Sequence, residues 1–157
     1  MKKISWFVVF VMVASIVGLA LMTSSSAVVT EGKLTFVVKP VNETGIDING
    51  NASLDPGDGW VSNAVLLQGG EVVGSSVSSC QYVVIRADGS GILQCVNTAK
   101  VPGGQIAVQS RMVEGQTYLQ PAAITGGTGE YASVRGYAVS EPSEGSMNAK
   151  VTLHLLP

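Results

Sequence analysis

Met147-Asn148-Ala149-Lys150-Val151-Thr152-Leu153-His154-Leu155 is the stretch from which the fold of this chain can be read. Met147, Ala149, Val151, Leu153 and Leu155 fall on one side of an extended backbone, and Asn148, Lys150, Thr152 and His154 on the other. Side chains alternate across a pleated strand with a period of two, so this pattern predicts a strand half buried against a core. Residues 105–113 repeat it, with Ile106, Val108 and Met112 opposed to Gln105, Gln109 and Arg111. Leu34, Phe36 and Val38 predict a first strand, stopped near Pro40, which has no N–H to give a ladder.

Outward from these, β-rich runs at 60–68, 71–78, 80–87, 92–98, 118–125 and 132–141 alternate with Gly, Asn, Asp, Ser and Pro clusters. Some of these runs merge, giving eight or nine strands, which suits a closed barrel or a sandwich. No helical period is found after residue 27. Asp88-Gly89-Ser90-Gly91 predicts a hairpin turn, with Gly free to take a positive φ. Residues 42–59 are the main irregular stretch, with turn signals at Asn49-Gly50 and Asp55-Pro56-Gly57. The absence of a repeat of 20–50 residues excludes a propeller or solenoid.

The chain's 157 residues allow one domain once a targeting segment is set aside. Residues 1–27 read as that segment. Lys2 and Lys3 form a positive start, the run 4–22 carries no charge, and Ser25-Ser26-Ala27 offers small residues for a signal peptidase. Cleavage after Ala27 and a secreted or periplasmic destination are expected. An apolar run of this length could instead remain as a membrane anchor. No Cys follows it, which excludes a lipoprotein. Losing Lys2 and Lys3 lowers the formal net charge by two further units from −2. The remaining basic residues are scattered, so no nucleic-acid partner is expected.

Cys80 and Cys95 lie in the exported part, where an oxidising environment favours a disulfide. They flank the Asp88-Gly89 turn almost symmetrically, although a register slip of one residue would turn them to opposite faces. Two cysteines and the single histidine, His154, cannot complete a zinc site without several carboxylates, so no metal is expected. Gly127-Thr128-Gly129-Glu130-Tyr131-Ala132 matches the loose dinucleotide pattern, but a strand-like run follows where a helix is required. Asp55, Asp58, Glu114, Glu130, Glu141 and Glu144 all sit in turn-rich sequence and read as solvated turn residues. His154 reads as a solvent- or lumen-facing histidine on the polar side of its strand. Asn42-Glu43-Thr44 and Asn51-Ala52-Ser53 are glycosylation sequons, which matter only in a glycosylating host.

Gly126-Gly127-Thr128-Gly129-Glu130-Tyr131-Ala132-Ser133-Val134-Arg135-Gly136-Tyr137-Ala138 resembles the signature of dirigent proteins and their allene oxide cyclase relatives. There a G-G-T-G turn, an aromatic residue and an A-R-G-Y-A variant follow one another. Upstream, Gly57-Asp58 with Asn63 and Leu66, Val73-Gly74 leading to Cys80, and Gly104-Gln105-Ile106-Ala107-Val108-Gln109 resemble further cyclase segments, in the same order.

The resemblance implies an all-β fold, a single eight-stranded antiparallel barrel of calycin-like type, often trimeric, with a largely apolar cavity and no cofactor. Residues 28–56 would supply a first strand and irregular loop leading into the barrel, and 57–157 its main part. The partner it implies is a small hydrophobic molecule whose cyclisation or coupling the barrel guides stereoselectively. The alternative is a non-catalytic binding or structural surface module. Asn63 matches a cavity asparagine that orients substrate, and Arg111 a functional arginine, with Ser110 in place of the usual Gly. Cys80 matches a cavity cysteine that a disulfide would consume. Lys39 and Pro40 stand in the strand where the cyclases carry a catalytic glutamate and asparagine, so no catalytic residue is identified. Gly126, Gly127, Thr128, Gly129, Tyr131 and Gly136 read as a structural turn motif.

Overall fold

The computed structural model describes residues 31–114, 121–143 and 146–156. The expected leader, residues 1–27, lies outside them, as do Tyr118 and Glu144. Eight strands follow in chain order: β1 (Gly32–Ile46), β2 (Gly59–Gln68), β3 (Glu71–Ile85), β4 (Gly91–Val101), β5 (Gly104–Val113), β6 (Ala122–Gly129), β7 (Arg135–Pro142) and β8 (Ala149–Leu156). Each pairs antiparallel with the next, and β1 pairs with β8 from Gly32↔Leu155 to Val38↔Ala149, closing the barrel. Closure matters because a sheet edge would otherwise offer unpaired N–H and C=O groups to other chains.

The alternation read from sequence decides what faces inward. Phe36, Leu66, Val108, Ile124, Ala138, Leu153 and Leu155 are buried in one cluster with Val101, Ile106 and Val134. Ile106 is fully buried while its neighbours Gln105 and Ala107 are not. Burying such a side chain contributes about 1.5–3 kcal/mol. A second cluster joins Cys80, Tyr82, Leu93 and Cys95, flanked by Trp60 and Ile85, where β2, β3 and β4 run on past the main core.

Two expectations are corrected, at Pro40 and Met147, and the expected merging of runs is located. β1 does not stop at Pro40 but continues to Ile46, because the register shifts between Pro40 and Asn42, and a bulge absorbs the missing donor. The runs at 71–78 and 80–87 are one strand, β3, ending at Ile85. Met147 does not join the apolar face of β8. It is 85 % exposed in the turn before that strand, where Ser143 N–H donates to the Asn148 carbonyl.

The Asp88 hairpin forms as expected. Gly89 has φ +81° and donates to the Arg86 carbonyl, while the Asp88 carboxylate accepts from Ser90 N–H and Oγ. Those hydrogen bonds hold the Asp88 carboxyl below its ordinary pKa.

Candidate functional site

Below Val108 and Leu153 the barrel is filled by Val101, Ile106, Val134 and Leu155. Above them it opens into a cavity of about 330 Å³, to which all eight strands contribute. That volume sits at the lower end of the range for small-molecule sites.

Two walls of different character enclose it. Phe36 and Val38 from β1, Leu66 from β2, and Ala149, Val151 and Leu153 from β8 make one side apolar, and Ala122 and Ala138 extend it. Small alanines leave the space that larger residues would fill. The opposite side, from β3 to β5, carries Ser76, Ser78, Asn97 and Ser110. Ser78 and Asn97 stand directly opposite one another across β3 and β4, and the Ser78 hydroxyl donates to Asn97 Oδ1. Ser140 on β7 adds one more hydroxyl. Arg111 and Met112 border the cavity at its exposed end, Met112 on the inward parity of β5 and Arg111, paired with Gln94, on the outward one.

The next inward pair beyond Ser78 and Asn97 is Cys80↔Cys95, joined as a disulfide. Direct opposition in the ladder brings the two sulfurs together, which the near-symmetric spacing about the turn anticipated. Cys95 Sγ also lies 3.5 Å from Met112 Sδ. The pair therefore ties β3 to β4 beside the cavity, and Cys80 has no free thiol to offer a ligand.

Of the two site residues expected from sequence, Arg111 borders the cavity and Asn63 does not. Inward positions on β2 share the parity of Leu66, so Asn63 points outward, where its Oδ1 accepts from Asn42 N–H at 3.0 Å. That bond supports the backbone where the β1 bulge ends. Asn97, which sequence reading overlooked, is the cavity's asparagine. Its signal was present in the alternation of Leu93, Cys95, Asn97 and Ala99 on one face of β4.

The carboxylates divide unexpectedly. Asp58, expected to be solvated, is 4 % exposed, with Oδ1 accepting from Ile48 N–H and Oδ2 from Asp55 N–H. It anchors the β1–β2 loop. Glu114 accepts from Gly91 N–H and from the Tyr82 hydroxyl, and burial together with that carboxylate raises the Tyr82 pKa. Glu141 is paired with Lys150 at the surface. His154 lies on the outer face, stacked on Tyr137 at 4.4 Å.

The glycine-rich signature is only partly a turn. Gly126, Gly127, Thr128 and Gly129 belong to β6, and the turn proper follows at Glu130–Ser133. A Cβ at Gly127 would lie 2.5 Å from the Gln105 carbonyl oxygen and 2.6 Å from that of Tyr131, so only glycine fits. The Tyr131 hydroxyl donates to the Pro102 carbonyl, latching this turn to the β4–β5 turn. No helix follows the glycines, so the dinucleotide match is accidental.

No protein-family model matches the chain, and no curated protein matches it. Solved structures do. The chain is similar to a structure titled pyocyanin demethylase, at 26 % identity and a TM-score of 0.68, over 80 % of this chain and 100 % of the other. It is similar to the dirigent protein described as a pterocarpan synthase, at 19 % identity and a TM-score of 0.60, over 82 % of this chain and 97 % of that one. The chain shares the closed-barrel fold of these structures. The same fold recurs in a Diels–Alderase from Streptomyces koyangensis, at 16 % identity and a TM-score of 0.63, where 80 % of this chain matches 65 % of that one. A Diels–Alderase and a dirigent protein thus share this fold, and the fold by itself does not specify an activity.

Proposed function

We propose that this barrel takes a small, mainly apolar molecule into its cavity and guides that molecule's cyclisation or coupling outside the cytoplasm. The observation that carries the reading is the cavity itself. It is floored by packed side chains, lined by every strand and apolar over most of its wall. A reactant held there loses most of its conformers before it reacts, and such positioning alone can account for much of a barrier. Among the described residues lining it there is no carboxylate and no imidazole. The reading therefore asks only confinement and hydrogen bonding of these residues. The neighbours that are cyclases and dirigent proteins support this reading, and the one titled a demethylase supports a small-molecule substrate. Export is supported by the Cys80–Cys95 disulfide, a bond that persists in oxidising compartments.

A second reading, binding without catalysis, is favoured by the same lack of acid–base groups. Screening fatty acids, phenolics and polyketide-like compounds by thermal shift tests the shared claim, since a ligand of the folded state raises the melting temperature. Ala149→Trp, at the cavity end of β8, should abolish the shift by filling the space. No shift with any compound would refute both readings. Chiral analysis of a bound reactant's products then separates them: an enantiomeric excess that depends on the protein marks guidance, and a racemate marks binding alone.

A further inference from the structure

The charged residues nearest the cavity lining turn away from it. Lys39, Lys100, Glu141 and Lys150 each stand one residue from a lining position, and strand alternation puts all four on the exposed outer face. Arg111 faces outward too, paired with exposed Gln94. The Glu114 carboxylate, just past the lining of β5, is held by Gly91 N–H and the Tyr82 hydroxyl. What points inward is neutral. Ser76 and Ser78 on β3, Asn97 on β4 and Ser110 on β5 take inward positions on adjacent strands. Hydroxyls and amides both donate and accept. The Ser78 hydroxyl donates to Asn97 Oδ1, which braces the amide in the wall.

We infer that the cavity admits its ligand only in an uncharged form, with an alcohol or amide edge against Asn97 and its serine neighbours, and excludes anions and cations alike. The inference rests on the cavity-binding reading above and names the class of molecule taken. An ion entering this space gives up its hydration, and among the described lining residues no opposite charge points inward to compensate. A neutral edge gives up much less and regains hydrogen bonds of either sense from the β3–β5 wall. The apolar body lies toward Phe36, Leu66 and Val151, where a polar group would find no partner. Asn97 is then the residue that sets specificity, and its test is whether the preference for a neutral edge follows its side chain.

The experiment titrates probes that share one body: 2-naphthamide, 2-methylnaphthalene, 2-naphthoate and 2-naphthylmethylammonium, at neutral pH and fixed ionic strength. The amide should bind about tenfold or more tighter than either ion, and up to about tenfold tighter than the hydrocarbon, the scale of one net hydrogen bond. Lowering the pH toward the naphthoic acid's own pKa should raise its apparent affinity about tenfold per unit, because only the protonated acid enters. Asn97→Leu should bring the amide down to the hydrocarbon's affinity. Asn97→Asp keeps an acceptor for Ser78, adds a charge at nearly constant shape, and should let the ammonium bind. Either ion binding the unaltered protein as tightly as the amide, or naphthoate binding that ignores pH, would overturn the inference and leave the cavity reading intact. An amide preference that survives both substitutions would overturn the assignment to Asn97. If no probe binds, the cavity reading fails and this inference with it.

Discussion

Gly127 and Asp58 show how much a single residue can decide in this barrel. A methyl group at Gly127 meets two backbone carbonyl oxygens, which cannot swing aside as a side chain can. Gly127→Ala should therefore cost about 1–3 kcal/mol in urea denaturation, as overpacking does. Gly45→Ala is the control: nothing lies within 4 Å of its added carbon, so stability should stay within about 0.5 kcal/mol. Asp58 accepts two backbone N–H bonds from a buried position. Asp58→Ala strands both donors and should cost about 1–3 kcal/mol. Asp58→Asn keeps one acceptor and should cost less. Equal losses for the two variants would show that the one retained acceptor contributes nothing by itself.

Between residues and the whole stand the β1–β2 loop and the β3–β4 hairpin. In the loop, Asp47 accepts from Asn49, Gly50 and Ala52 N–H groups, and Asp55 accepts from the side-chain amides of Asn49 and Asn51. These bonds, led by Ala52 N–H for Asp47 and by the Asn49 amide for Asp55, hold both carboxyls below the ordinary value of 3.8. A depressed pKa stabilises the folded loop above the unfolded value, and that contribution is lost as pH falls through the folded one. Amide shifts of Gly50 and Ala52 should accordingly titrate with midpoints under 3.8, and midpoints at or above it would contradict the bonding described. In the hairpin, the disulfide spans 15 residues. The chain-entropy model gives such a closure about 3 kcal/mol. Unfolding in urea with and without reductant should show a loss of that order, and an unchanged midpoint would remove the stabilising role.

For the whole molecule, the cavity and export lead to one joint expectation. Intact-mass analysis of protein recovered outside the cytoplasm should find Val28 as the first residue and two hydrogens missing for the disulfide. A full-length form released only by detergent would favour the anchor instead. Purified in that form, the barrel should give the ligand-dependent thermal shift that Ala149→Trp removes.

Period-two alternation in 147–155 and 105–113, with turn residues between runs, was enough to establish an all-β chain, because a strand's two faces meet different solvents. The Asp88 turn likewise brought Cys80 and Cys95 onto neighbouring strands, and the β3–β4 register then set them directly opposite. Local pattern does not show where a bulge will carry a strand past a proline, which is why β1 ran on beyond Pro40, and a matched motif does not fix a side chain's face, which is why Asn63 pointed outward instead of in. Nor does it show which polar residues converge: Asn97 meets Ser78 only because β3 and β4 pair in one register, and Asp58 is buried only because the loop folds over it. Those facts depend on closure of the sheet, which brings β1 against β8 and turns eight separate inner faces into one cavity. The alternation determined that a core would exist, and the barrel's geometry decided what was left empty inside it.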